Sequence, residues 1–161
     1  MSQKLISTML SGKVVYSDSA WARLEGGRFI LIDATRYRVS SDKLQSLIIQ
    51  NAIAHSARFV CIEAANHAVD LIRMVSEQMP DDCTVRSVAT YGLSKMQRLE
   101  AQLHKINTAK VVFLGDEPNL DLVTNELRQF PNGRHDDLVD SFSQALSEMG
   151  KGSGIPAWRI S

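Results

Sequence analysis

Eleven consecutive residues near the C-terminus, Phe130-Pro131-Asn132-Gly133-Arg134-His135-Asp136-Asp137-Leu138-Val139-Asp140, combine a turn, a basic residue, a histidine and three acids. Hard carboxylate oxygens of this kind suit Mg²⁺ or Mn²⁺. Another acid, Glu63, closes the apolar run Arg58–Glu63 (RFVCIE). If the segment opened by Asp136 and Asp137 packs beside that run, three carboxylates from distant parts of the chain converge. Like charges brought that close are costly unless a cation neutralises them. A two-metal centre is the usual solution: one ion aims an attacking hydroxide and the other stabilises the leaving oxygen of a phosphodiester. His135 precedes the acids, where it would orient a ligand or protonate that oxygen. Each residue also has a plainer reading. Aspartates at a helix start answer free N–H groups and the helix dipole without any metal, Glu63 can pair with Arg58 or Arg73, and His135 can be an exposed loop residue.

The elements that must position these acids are legible from periodicity. Leu138, Phe142, Ala145, Leu146 and Met149 recur at helical spacing, so the acids lie in the first turn of a helix. At about 100° per residue, Asp136 and Asp137 flank the packed stripe and Asp140 points away from it. That ranks Asp140 as a solvated acid behind the other two. RFVCIE is apolar without alternation, which predicts a central strand buried on both faces and ending on Glu63. Ahead of it, Lys13–Leu24 and Arg28–Arg36 read as an antiparallel pair joined at Glu25-Gly26-Gly27. Helices are expected from Ser40 or Ser41, from Ala68 to Met79, from Ser94 to Ile106 and from Leu120 to Gln129, with strands at Thr84–Thr90 and Ala109–Leu114. Residues 1–12 read as an N-terminal extension, a short helix or frayed start, and 150–161 as a flexible tail carrying Trp158, a candidate docking peptide. The order β-β-α-β-α-β-α-β-α-α predicts an α/β fold, a mixed sheet with helices on its faces. Ligands of such sheets collect at the C-terminal ends of parallel strands, where Glu63 falls.

Composition narrows the function classes. The 161 residues carry 18 basic and 18 acidic side chains, so any contact with DNA must rest on a local patch. Lys95, Arg98, Gln102 and Lys105 lie three or four apart on one helical face, a possible phosphate-binding strip or a solvated face. Arg134 adds a cation beside the acids. The two cysteines, Cys61 and Cys83, read as free thiols of a reducing, cytoplasmic compartment. Cys and His show no zinc spacing, and no apolar run reaches the ~20 residues of a membrane span.

LRQFPNGRHDDLVDSFSQAL resembles the closing motif of the nuclease domain of phage terminase large subunits, the DNA-packaging motor proteins. RFVCIE followed by AAN, GLSKMQRLEAQL, AKVVFL and GGRFILIDATRYRVS resemble that family's other elements in order, over roughly residues 13–149. The resemblance implies an RNase H-like fold and an endonuclease that cuts concatemeric double-stranded DNA with Mg²⁺ or Mn²⁺. It implies the bacterial host cytoplasm, a phage or prophage origin, and the terminase ATPase domain, small terminase subunit and portal as partners. Glu63 takes the place of the family's central-strand acid, and Asp136 or Asp137 that of its last-helix acid. The family's first catalytic Asp lies on an initial strand, and here two alignments compete. In one, Asp18 is that residue and an intervening strand is gone. In the other, which the ten-residue step from Asp18 to Arg28 favours, SDSAWARLEGGRFILID is the second-and-third-strand hairpin and the first strand is missing. No GxxxxGK[ST] loop occurs, so this chain would not power packaging by itself. Two alternatives stand beside the endonuclease: a catalytically incomplete DNA-binding or assembly module, and another RNase H-like nuclease of the resolvase or transposase type.

Overall fold

The computed structural model describes residues 3–11, 15–24, 26–64, 68–113 and 118–151. Among the described residues the sheet has six strands: β1 (Gln3–Ser11), β2 (Val15–Arg23), β3 (Phe29–Arg38), β4 (Phe59–Glu63), β5 (Thr84–Val88) and β6 (Val111–Phe113). They run in the order β5-β4-β1-β2-β3-β6. β1, β2 and β3 form an antiparallel meander, and β4, β5 and β6 join in parallel pairings. The expected glycine turn joins β2 to β3, with Gly26 and Gly27 at φ of 83° and 75°, backbone that only glycine enters freely.

Helices cover both faces. α1 (Ser41–Ala54) and α2 (Ala68–Gln78) pack on one side around Ile6, Ala20, Ile48, Val60, Ile62 and Val75. On the other side α5 (Pro118–Gln129) and α6 (Asp137–Gly150) close over Trp21, Leu31, Phe59, Cys61, Leu138 and Phe142. β4 therefore sends alternate side chains into two cores, as its unbroken apolar run predicts. It is the strand that carries Glu63 to the sheet's C-terminal edge.

Two expectations fail. Residues 3–11, read above as a helix or frayed start, form β1, a strand inside the sheet between β4 and β2. Leu5, Ile6, Met9 and Leu10 sit four apart in two pairs, which imitates a helix; pairing on both edges makes the segment a strand instead. The hairpin alignment is right about β2 and β3, but the strand it took to be missing is present. The single helix expected over Ser94–Ile106 is two, α3 (Lys95–Glu100) and α4 (Leu103–Asn107), broken at Ala101 and Gln102. The tail with Trp158 lies outside the described residues.

Candidate functional site

The first turn of α6 is capped from another helix. Asp136 occupies the cap position without making a side-chain cap bond. Instead Glu126 of α5 accepts the Leu138 and Val139 N–H groups on Oε2, at 3.0 and 3.3 Å, while Arg36 pairs with its other oxygen. The free N–H groups of a helix start need such partners. With Glu126 supplying them, the aspartates are released from capping and their charge is met elsewhere.

It is met by α3. Ser94 and Gln97 cap that helix reciprocally, at 3.2 and 2.9 Å, which fixes its first turn. Lys95 and Arg98, three residues apart, both reach the acids. Lys95 Nζ donates to Asp136 Oδ1 at 2.7 Å and to Asp137 Oδ1 at 3.2 Å. Burial works to lower the Lys95 pKa, but the hydrogen bond to Asp136 and the charges of Asp137, Asp136 and Asp140 outweigh it, and the net shift is upward. Arg98 donates through Nη1 to Glu63 Oε1 at 3.2 Å and through Nη2 to Asp140 Oδ2 at 2.8 Å. One guanidinium thus joins the end of β4 to α6.

Asp140 overturns the ranking made from helical angles. It is 1% exposed, not solvated. The angular argument assumes one packed side, whereas α6 is enclosed by the sheet, α5 and α3 and buries nearly every residue from Asp137 to Met149. Burial pushes the Asp140 carboxyl up to about 6, although Arg98 and Lys95 pull it back. Its Oδ1 is buried without a hydrogen-bond partner.

The other expected residues fare differently. Glu63, Asp136 and Asp137 share the Lys95–Arg98 cluster, with Asp137 more buried than Asp136. His135 and Arg134 are exposed. The phosphate strip is not one face: Lys95 and Arg98 turn to the acids, Gln102 is buried, and Lys105 donates to the Leu146 carbonyl at 2.8 Å. Asp18 lies in β2, in register with Thr8 of β1 and Thr35 of β3, and its side chain is outside those described. β2 meets α6 through other residues: Ser19 Oγ lies 2.7 Å from Ser141 Oγ, and Trp21 packs edge-on against Phe142. β1 lies beside β4, Thr8 against Ile62, and contributes no acid (QKLISTMLS). Sequence reasoning set Asp140 aside as solvated and did not single out Glu126. The i, i+3 spacing of Asp137 and Asp140 was the available signal for the first; nothing in the sequence marked the second.

The donor chemistry fits a divalent ion: carboxylates gathered at a strand end, with an orphaned, buried oxygen on Asp140. In the described structure Lys95 and Arg98 neutralise them, and among the described residues no three His, Cys, Asp or Glu side chains gather closely enough to hold a metal ion.

Comparison with known proteins places the chain in a family. The terminase RNaseH-like domain family matches residues 12–149. The chain belongs to that family. No curated protein matches it. Solved structures similar to this terminase domain share its fold at low identity. The large terminase of a thermophilic bacteriophage aligns with TM-score 0.65 and 8% identity over 91% of this chain and 39% of that one. The human cytomegalovirus terminase nuclease domain, soaked with Mn, gives 0.56 and 13% over 90% and 82%. The fowlpox virus resolvase in complex with Holliday junction DNA gives 0.64 and 12% over 92% and 98%. The RNase H-like fold expected from the sequence is therefore the fold of the chain. Among the described residues, no helix is long and apolar enough to cross a membrane.

Proposed function

We propose that this terminase domain is the DNA-cutting module of a viral packaging machine, hydrolysing double-stranded DNA with a divalent ion, Mg²⁺ or Mn²⁺. The observation that carries the reading is the gathering of Glu63, Asp137 and Asp140 around Lys95 and Arg98 at the C-terminal edge of the sheet. Those three acids would close on the ion as it displaces Lys95 and Arg98 from between them, and Asp136, more exposed, would stand at its rim. When bound, the ion supplies a nucleophilic hydroxide and charge stabilisation for the leaving oxygen. Arg98 and Lys95 keep the carboxylates together in its absence, and Arg134 and Lys95 offer charge to the DNA backbone. The ATPase domain, small subunit and portal are the partners this role requires.

A second reading has an observation of its own. β1 pairs with β4 yet carries no carboxylate, so the domain would bind DNA or assemble with other terminase subunits without cutting. Incubation of linear and supercoiled DNA with Mn²⁺ decides between them. Cleavage that EDTA stops and that Glu63→Ala with Asp137→Ala abolishes supports the first. DNA binding without cleavage at millimolar Mn²⁺ rejects it in favour of the second. Under the second, an aspartate installed in β1 (Ser7→Asp, Thr8→Asp or Met9→Asp) is the substitution expected to create cutting.

A further inference from the structure

Beside the acid cluster lies a groove of ≈ 150 Å³ between β5, α3 and α6, and Arg98 is part of its wall. By comparison with ~30 Å³ per liquid water it has room for one planar heterocycle. It is far smaller than the roughly 300–1,000 Å³ of a drug-sized site. Its lining is mixed: Ser147 and Gln102 add a hydroxyl and an amide whose Oε1 already accepts from Lys105, Ser143 and Gln144 donate to the Val139 and Cys61 carbonyls, and Tyr91 and Leu93 line it as well. Tyr91 is the most exposed large apolar side chain among those described, 81% accessible. Its backbone is in the left-handed region, φ 53°, next to Gly92 at 71°. That backbone closes a tight turn, with the Leu93 N–H donating to the Thr90 carbonyl at 3.0 Å, and the turn holds the Tyr91 ring out beside the groove. Arg98 Nε is buried without a hydrogen-bond partner, and Lys151, paired with Glu148, also lines the groove.

We propose that this groove receives a single unpaired nucleobase of the DNA substrate, stacked on Tyr91 and read by the polar wall, next to the carboxylates. The proposal rests on the DNA reading above and adds a substrate class to it: DNA with an extruded or unpaired nucleotide. An exposed aromatic ring beside a groove with polar side chains and a guanidinium in its wall is the recognition chemistry of a base taken out of its stack. A free phosphate or an apolar peptide would use only part of that lining. Arg98 faces both the groove and the acids, so a base seated there would bring its own backbone to the cluster.

The test uses the whole chain with Ca²⁺ and two 25-mer duplexes, one fully paired and one with 2-aminopurine opposite an abasic site. Binding is followed by anisotropy and base environment by 2-aminopurine fluorescence. The expected result is about tenfold tighter binding of the abasic duplex, with a change of fluorescence on binding. Tyr91→Ala is expected to erase the preference and the fluorescence change, and Tyr91→Phe to keep both. Equal affinity for the two duplexes, or a preference that survives Tyr91→Ala, overturns the proposal while leaving the DNA reading intact. Binding to neither duplex overturns both.

Discussion

The acid cluster has two halves that solve the same problem differently. In one, Arg98 sits between Glu63 and Asp140, with all three side chains at most 16% exposed. In the other, Lys95 serves Asp136 and Asp137 nearer the surface, where the lysine is 35% and Asp136 40% exposed. A planar guanidinium can hold two carboxylates from different elements at once, whereas an ammonium acts as a point charge. The buried half is structural as well as chemical, because it ties β4 to α6. The outer half can be undone with little consequence for the fold. That difference sets the size of every effect expected from breaking either half.

The largest effect is expected from Arg98→Ala. It leaves a buried Asp140 beside Glu63 without its directly bonded counter-charge, Lys95 acting only from a distance, and removing one partner of a buried pair costs about 3–5 kcal/mol. Urea unfolding of the metal-free chain at pH 7 measures it. If carboxylate repulsion is the cause, added Mn²⁺ should recover part of the loss, and Arg98→Lys should lie between the variant and the wild type. A loss no greater than that of an exposed lysine would show that the inner half is not the tie described.

Asp140→Asn comes next, and its signature is in pH. The folded carboxyl titrates at about 6, above its ordinary value of 3.8. A raised carboxyl favours folding while it is protonated, so its contribution is complete below about pH 3.8 and is lost as pH rises through 6. The window corresponds to roughly 3 kcal/mol at ~1.4 kcal/mol per unit. Asparagine does not titrate. In metal-free buffer the stability of Asp140→Asn relative to wild type should therefore climb by about that amount between pH 4 and pH 7. Parallel pH profiles for the two proteins would mean that Asp140 is not strained by its burial.

What could be read in advance follows from which interactions are local. Glu63 was legible because a strand buried on both faces announces itself as an unbroken apolar run, and the acid at its end stands out. The start of α6 was legible from periodicity. Asp140 was not, because angular reasoning treats a helix as having one packed side, and α6 is enclosed on three. β1 was hidden for a related reason: its paired apolar residues match a helical repeat, and its strand character comes from β4 and β2 on either edge. Glu126 shows the limit most sharply. On α5 it reads as one more polar position, yet it satisfies the N–H groups of another helix and so frees Asp136 and Asp137 to meet Lys95. Lys105 belongs to the same class, since its inward turn to the Leu146 carbonyl depends on α6, a neighbour far along the chain.

The smallest effect is expected at the outer half, and it sharpens the comparison. Lys95→Ala removes a pair that is partly open to water, where ion pairs contribute about 0–1 kcal/mol. Salt should separate the halves further. Near 1 M NaCl the screening length falls to about 3 Å, so the difference between Lys95→Ala and wild type should shrink towards zero. The Arg98→Ala deficit, shielded from solvent, should largely persist. Urea titrations of both variants at low and high salt test this directly. Equal salt sensitivity would mean the two cations share one environment, and the division of the cluster into a structural and an exchangeable half would fall. Should the division hold, Lys95 is the cation that an incoming divalent ion or a DNA phosphate can replace most cheaply, because its release costs the fold least.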